Sequence, residues 1–240
     1  MINVYIFGDS NVRSFFGKQS KIINEKIIFH NLYKSKVSMK GLNNGNSISN
    51  YKQEIIDFIS SNNNINDYYV FKFGQVDIEY VLNYKKFIKN EDVVPLQFFE
   101  QIINNYFIFL KNLNIKNIIV CSTNLPNQNT ILKNIQESIG LKVDITISEL
   151  SKNCILFNQI LKEYCNKNNT EFLDFIELLG EKKDDYLILK PIFIGTDHHI
   201  CGCEYIYNLN KQLEINSNYG KNVNDIFLKM LIDKILVHST

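Results

Sequence analysis

The strongest constraint in this chain is the alternation of short apolar runs with longer helical patterns, which is how a mostly parallel sheet covered by helices is written. Strands are expected at about 2–7, 27–32, 67–73, 116–121 and 170–174. Helices are expected at about 47–60, 96–112, 128–138 and 148–167. The second carries Phe98, Phe99, Ile102, Ile103, Tyr106, Phe107 and Leu110 at spacings of three and four, the stripe of a helix that faces a core. The Asn-rich stretches 60–64 and 166–169 read as helix exits, because asparagine tolerates left-handed backbone. With 240 residues and no internal repeat, the chain is read as one three-layer α/β/α domain over 1–213 around a parallel sheet of about five strands. A polar connection and an amphipathic helix follow over 214–240. The apolar face of that helix, Ile226 to Leu236, either docks on the domain, pairs with a second protomer or lies on a membrane.

Composition excludes several classes. Lys and Arg total 26 against 25 Asp and Glu, so no basic excess draws nucleic acid or an anionic membrane. No apolar run reaches the length of a membrane span, and the opening residues do not read as a signal peptide. The five cysteines, Cys121, Cys154, Cys165, Cys201 and Cys203, are odd in number and scattered, which reads as free thiols and a cytoplasmic address.

The first strand runs into Gly8-Asp9-Ser10-Asn11, which places a hydroxyl at the carboxyl edge of a parallel sheet, where open α/β folds bind ligands. Taken alone, Asp9 and Ser10 also suit the start of the helix that follows. Far along the chain, Thr196-Asp197-His198-His199 supplies two of the four histidines beside an aspartate. Serine is a poor nucleophile until a base, commonly a histidine oriented by a carboxylate, takes its proton. Ser10 and this cluster contain those three parts. Arg13, the one arginine, follows Ser10 closely and is a candidate clamp for a substrate carboxylate or phosphate.

These motifs resemble the SGNH/GDSL hydrolase superfamily, with Gly-Asp-Ser after the first strand and Asp-x-x-His near the end of the domain. The resemblance spans roughly residues 2–211 and implies a flavodoxin-like sheet topology. It implies Ser10 as nucleophile, Asp197 and His199 as the remaining pair, and no metal or organic cofactor. The spacing departs from the family, since Asp197 stands two residues before His199 and Thr196 three before, which leaves His198 as an alternative base or the triad reduced to a dyad. Val37 to Ser47 looks like the loop whose glycine N–H binds the oxyanion, with Gly41 the choice and Gly45 the fallback, beside the N–H of Ser10. Phe73-Gly74-Gln75-Val76-Asp77 stands where the family has Gly-x-Asn-Asp. Val76 occupies the donor asparagine's position, so Gln75 or backbone amides replace it or the hole is one donor short, with Gly74 and Asp77 anchoring the loop alongside Asp9. This segment is similar to a branch associated with polysaccharide biosynthesis, which points to a glycan ester as substrate.

The resemblance therefore implies a serine esterase removing acyl groups, acetyl foremost, from a carbohydrate. A sugar O-acyltransferase or an inactive glycan-binding protein on the same fold is the alternative, because an acyl-serine passes equally to water or to a sugar hydroxyl. Asp197-His198-His199 is also similar to the DHH phosphoesterases, but no His-x-x-x-Asp-x-Asp lies near the start. A metal site from His198, His199, Cys201 and Cys203 is too crowded for the usual zinc spacing. Homo-oligomerisation through the C-terminal helix remains open.

Overall fold

A computed structural model describes residues 1–17, 21–23, 27–45, 47, 49–140, 142–195, 199–200 and 218–237. The strands are β1 (Ile2–Gly8), β2 (Lys21–Ile23), β3 (Ile27–Asn31), β4 (Tyr68–Lys72), β5 (Ile118–Cys121) and β6 (Glu171–Leu173), in the sheet order β2-β3-β1-β4-β5-β6. Every neighbouring pair from β3 to β6 is parallel, and only β2 runs antiparallel, against the edge of β3. The five expected strands form the parallel part, in the chain order 2-1-3-4-5 of a flavodoxin-like sheet. β2 adds an edge that three residues were too few to announce.

The helices are α1 (Val12–Phe16), α2 (Met39–Leu42), α3 (Tyr51–Ser61), α4 (Leu82–Phe87), α5 (Pro95–Asn112), α6 (Ile131–Ile139), α7 (Ile147–Lys167), α8 (Ile176–Leu179) and α9 (Asn218–Val237). A π-turn over Asp77–Val81 leads into α4. The four helices expected inside the domain are α3, α5, α6 and α7. α3 starts later than its periodicity suggested because Asn50 takes a left-handed φ of 48° immediately before it.

The strands are covered on both faces, which explains their apolar sequences. Tyr5 and Phe7 pack on Phe58 of α3, and Phe73 on Tyr106 of α5. On the opposite face Phe15 of α1 meets Phe227 of α9 at 4.5 Å. The expected α5 stripe is buried throughout. α9 docks on its own domain: Phe227, Leu228, Leu231 and Ile235 are buried in the same core as β1 and β4. Tyr68 donates to the Ile235 carbonyl, and Lys234 pairs with Glu171 at 2.7 Å. The polar connection before it, 214–217, lies outside the described residues. No helix among the described residues is long and apolar enough to cross a membrane.

A two-stranded antiparallel hairpin, β7 (Gly180–Lys183) and β8 (Tyr186–Leu189), precedes the histidine segment. It was not anticipated, since Glu181, Lys182 and Lys183 are exposed and show no apolar alternation. Cys121, Cys154 and Cys165 are buried free thiols, and burial pushes Cys121 and Cys165 up to about 12, which makes both inert.

Candidate active site

In an open parallel sheet the carboxyl ends of the strands on either side of the order reversal border a crevice. Here those strands are β1 and β4, and each exits through a glycine. At Gly8 a Cβ would lie 2.3 Å from the Lys72 carbonyl oxygen and 2.5 Å from Val12, so only glycine permits this approach of β1 to β4 and α1. At Gly74, φ is +115° and a Cβ would lie 2.5 Å from the Phe157 ring. Both conditions demand glycine there.

The turn after Gly8 is held from inside. Asp9 is 1% exposed, and its Oδ1 accepts from the Asn11 backbone N–H at 2.8 Å and from Asn11 Nδ2 at 3.0 Å. Its own N–H donates to the Lys72 carbonyl. Burial raises the Asp9 pKa, opposed by Lys72, by the Asn11 bonds and by His199. With Asp9 turned inward, Ser10 remains half-buried, and its Oγ lies 2.7 Å from Nε2 of His199. Ser10 and His199 are 189 positions apart in the chain. Asp197 and His198 lie outside the described residues, as do Cys201 and Cys203.

The histidine segment is fixed at several points. Pro191–Phe193 forms a 3-10 turn whose Phe193 packs on Phe227 at 6.1 Å. Ile194 and Ile200 form an antiparallel bridge, and Ile200 is buried. Asn127, fully buried, donates its Nδ2 to the carbonyls of Gly195 at 3.0 Å and His199 at 3.3 Å. One side chain thereby ties together the two described ends of the segment that carries Asp197. Asn127 was not singled out from sequence, although the polar run Ser122-Thr123-Asn124-Leu125-Pro126-Asn127 directly after β5 offered the signal.

The two oxyanion donors expected besides Ser10 are otherwise engaged. Gly41 N–H donates to Ser38 Oγ at 2.9 Å, the N-cap bond of α2. Gln75 is buried, donating Nε2 to Glu79 at 2.6 Å and accepting from the Asn124 N–H at 2.9 Å. In this arrangement it braces the β4 exit against the β5 exit. Gly45 sits exposed with open space around it. The Ser10 N–H makes no hydrogen bond among the described residues.

Asp77 is the anchor of the α2 loop: Oδ2 accepts from Met39 N–H at 2.7 Å and Oδ1 from Lys40 N–H at 3.0 Å. Burial pushes Asp77 up to about 7 against those two bonds, and pushes Glu79 up to about 8 against the Gln75 bond. Another buried titratable group, Lys72 at the end of β4, donates to the Ser122 carbonyl at 3.1 Å and stands 4.1 Å from the centre of the Phe15 ring. Its burial lowers its pKa, and Asp9 opposes that shift.

No known family's sequence profile matches the chain, and no curated protein matches it in sequence. Solved structures do match in fold. A GDSL-like lipase from Bacteroides thetaiotaomicron superposes with a TM-score of 0.56 at 15% identity, over 97% of this chain and 88% of that one. An acylhydrolase, so far assigned only provisionally, from Bacteroides fragilis gives 0.50 at 17% identity, over 90% and 88%. An α/β hydrolase enzyme from the metagenome of Lake Arreo, Spain, gives 0.50 at 11% identity, over 95% and 94%. The chain therefore shares, nearly end to end, the three-layer α/β fold on which these GDSL-like and acylhydrolase proteins are built.

Proposed function

We propose that this protein is a serine esterase of the SGNH/GDSL kind, acting on acyl groups carried by a carbohydrate. The observation that carries the reading is the 2.7 Å contact of Ser10 Oγ with His199 Nε2 at the switch point of the sheet. A hydroxyl that close to an imidazole is placed to lose its proton as it attacks. In the proposed reaction Ser10 Oγ attacks the ester carbonyl, and His199 accepts the hydroxyl proton and returns it to the departing sugar oxygen. The Ser10 N–H, free among the described residues, faces the developing oxyanion. Water activated by the same histidine then releases the acid and restores Ser10. Asp197 orients the histidine in this scheme, by its place in the sequence. No metal or organic cofactor takes part. The acyl hydrolase names of the fold neighbours support the reaction class, and the carbohydrate substrate rests on the likeness of residues 73–80 to the polysaccharide-associated branch.

The engagement of Gly41 and Gln75 inside the protein favours a second reading, a glycan-binding protein without turnover, because one missing oxyanion donor costs about 3 kcal/mol of transition-state stabilisation. One experiment separates the two. The purified protein is treated with a fluorophosphonate probe beside Ser10→Ala, and the adduct is mapped by mass spectrometry. Labelling confined to Ser10 is expected. A folded protein that takes no label refutes the esterase.

A further inference from the structure

From Val4 to Phe16 every residue is buried except two, Ser10 and Arg13. They are three positions apart across the turn into α1, where Val12 N–H bonds to the Asp9 carbonyl and Ser14 N–H to the Asn11 carbonyl. Residues at that spacing share a face of a helical turn. Ser10 and Arg13 are thus the two residues through which this otherwise buried stretch reaches the surface. Among the described residues the Arg13 guanidinium makes no hydrogen bond or ion pair, and α1 has no acidic residue in its first turn. The nearest carboxylate in sequence, Asp9, is turned inward to Asn11.

Arg13 is half-buried as a residue, and among the described residues no carboxylate compensates its charge, which leaves the guanidinium available to an anion from outside. Arg13 is moreover the only arginine among 26 basic residues. Lysine serves everywhere else, and what arginine adds is a planar fork that grips a carboxylate or phosphate with two parallel hydrogen bonds. We infer that Arg13 is the anion-recognition residue of this site, and that the ester it takes belongs to an acidic sugar, with a carboxylate or phosphate close to the acylated hydroxyl. The inference rests on the reading of Ser10 as nucleophile, and it narrows the substrate class from glycan esters to anionic ones.

The test compares kcat/KM for matched acetyl esters of methyl glucuronate, glucose 6-phosphate and methyl glucose. The wild type is expected to prefer one of the acidic esters by about tenfold or more, the worth of one charge-assisted contact. The preferred acid distinguishes carboxylate from phosphate. In Arg13→Gln the preference falls to about one, through KM, while Arg13→Lys retains part of it as a point charge. A wild type without preference, or an Arg13→Gln variant that keeps it, overturns the inference. Should no ester turn over and Ser10 take no fluorophosphonate, the esterase reading fails separately. Calorimetric titration with glucuronate, glucose 6-phosphate and glucose then decides the anion site by itself. Acid binding weakened about tenfold by Arg13→Gln sustains it, and absent or unaltered acid binding overturns it.

Discussion

Asn127→Ala tests whether the histidine segment is positioned by the loop after β5. Among the described residues the wild-type amide gives hydrogen bonds to the carbonyls of Gly195 and His199, from a side chain with 0% exposure. Truncation strips both carbonyls of that donor, the His199 carbonyl in a buried place and the Gly195 carbonyl in a half-buried one. An unsatisfied buried group costs about 1–3 kcal/mol and the half-buried Gly195 carbonyl less, so the variant should lose about 1–4 kcal/mol in urea unfolding. The remaining restraints, the Ile194–Ile200 bridge and the burial of Ile200, keep the segment near its place without fixing the imidazole. A misplacement of about 1 Å between reacting groups costs about a hundredfold in rate. The assay is the second-order rate of fluorophosphonate labelling at Ser10, taken where unfolding curves show the variant fully folded. Because the Asp9–Asn11 bonds that shape the Ser10 turn are untouched, a fall of about a hundredfold would trace to the histidine. Labelling within about threefold of wild type would refute the reasoning, since the imidazole would then be held without Asn127.

The buried carboxylates set a pH dependence. Glu79 has a folded pKa of about 8, above its ordinary 4.5, so its contribution to stability is complete below about pH 4.5 and is lost as pH rises through 8. Urea unfolding from pH 5 to 8.5 should show stability falling, and Glu79→Gln, neutral and of equal size, should flatten the fall by about 3–5 kcal/mol; an unchanged slope would clear Glu79 of the effect. Phe227→Ala should cost about 3–5 kcal/mol, because its ring fills the space among Phe15, Phe175 and Phe193. A loss under about 1 kcal/mol in urea unfolding would mean that α9 does not dock there.

Much of this fold is readable residue by residue. The parallel strands are continuous apolar runs because both faces are covered, and the α5 stripe repeats at helical spacing because one face is covered. β2 and the β7–β8 hairpin escaped, the first for its three residues and the second because its exposed strand carries charges without alternation. Within the site, Gly8, Asp9 and Ser10 stand out because a strand ends on them, whereas the bonds that Asp77 accepts from Met39 and Lys40 of the α2 loop are visible only in the folded chain. Lys72 did not stand out: a lysine inside an apolar strand gives no sign that it is buried against an aromatic ring and a carbonyl.

Periodicity and turn chemistry are local, so they decide where elements begin, which faces are buried and which residues reach the carboxyl edge of the sheet. The destination of a hydrogen bond is decided by what the folded chain brings near. Gly41 looked like a free donor until Ser38 capped it, and Gln75 looked like a substitute donor until Glu79 and Asn124 claimed both ends of its amide. His199 gives no local sign of its partner either: in the folded chain its Nε2 lies 2.7 Å from Ser10 Oγ, its carbonyl accepts from Asn127 and Ile200 beside it is buried. Ser38 and Glu79 stand only three and four positions from Gly41 and Gln75, but Asn124 lies 49 positions from Gln75, Asn127 72 from His199 and Ser10 189 from His199, beyond the reach of any local pattern, and there only packing selects the partner.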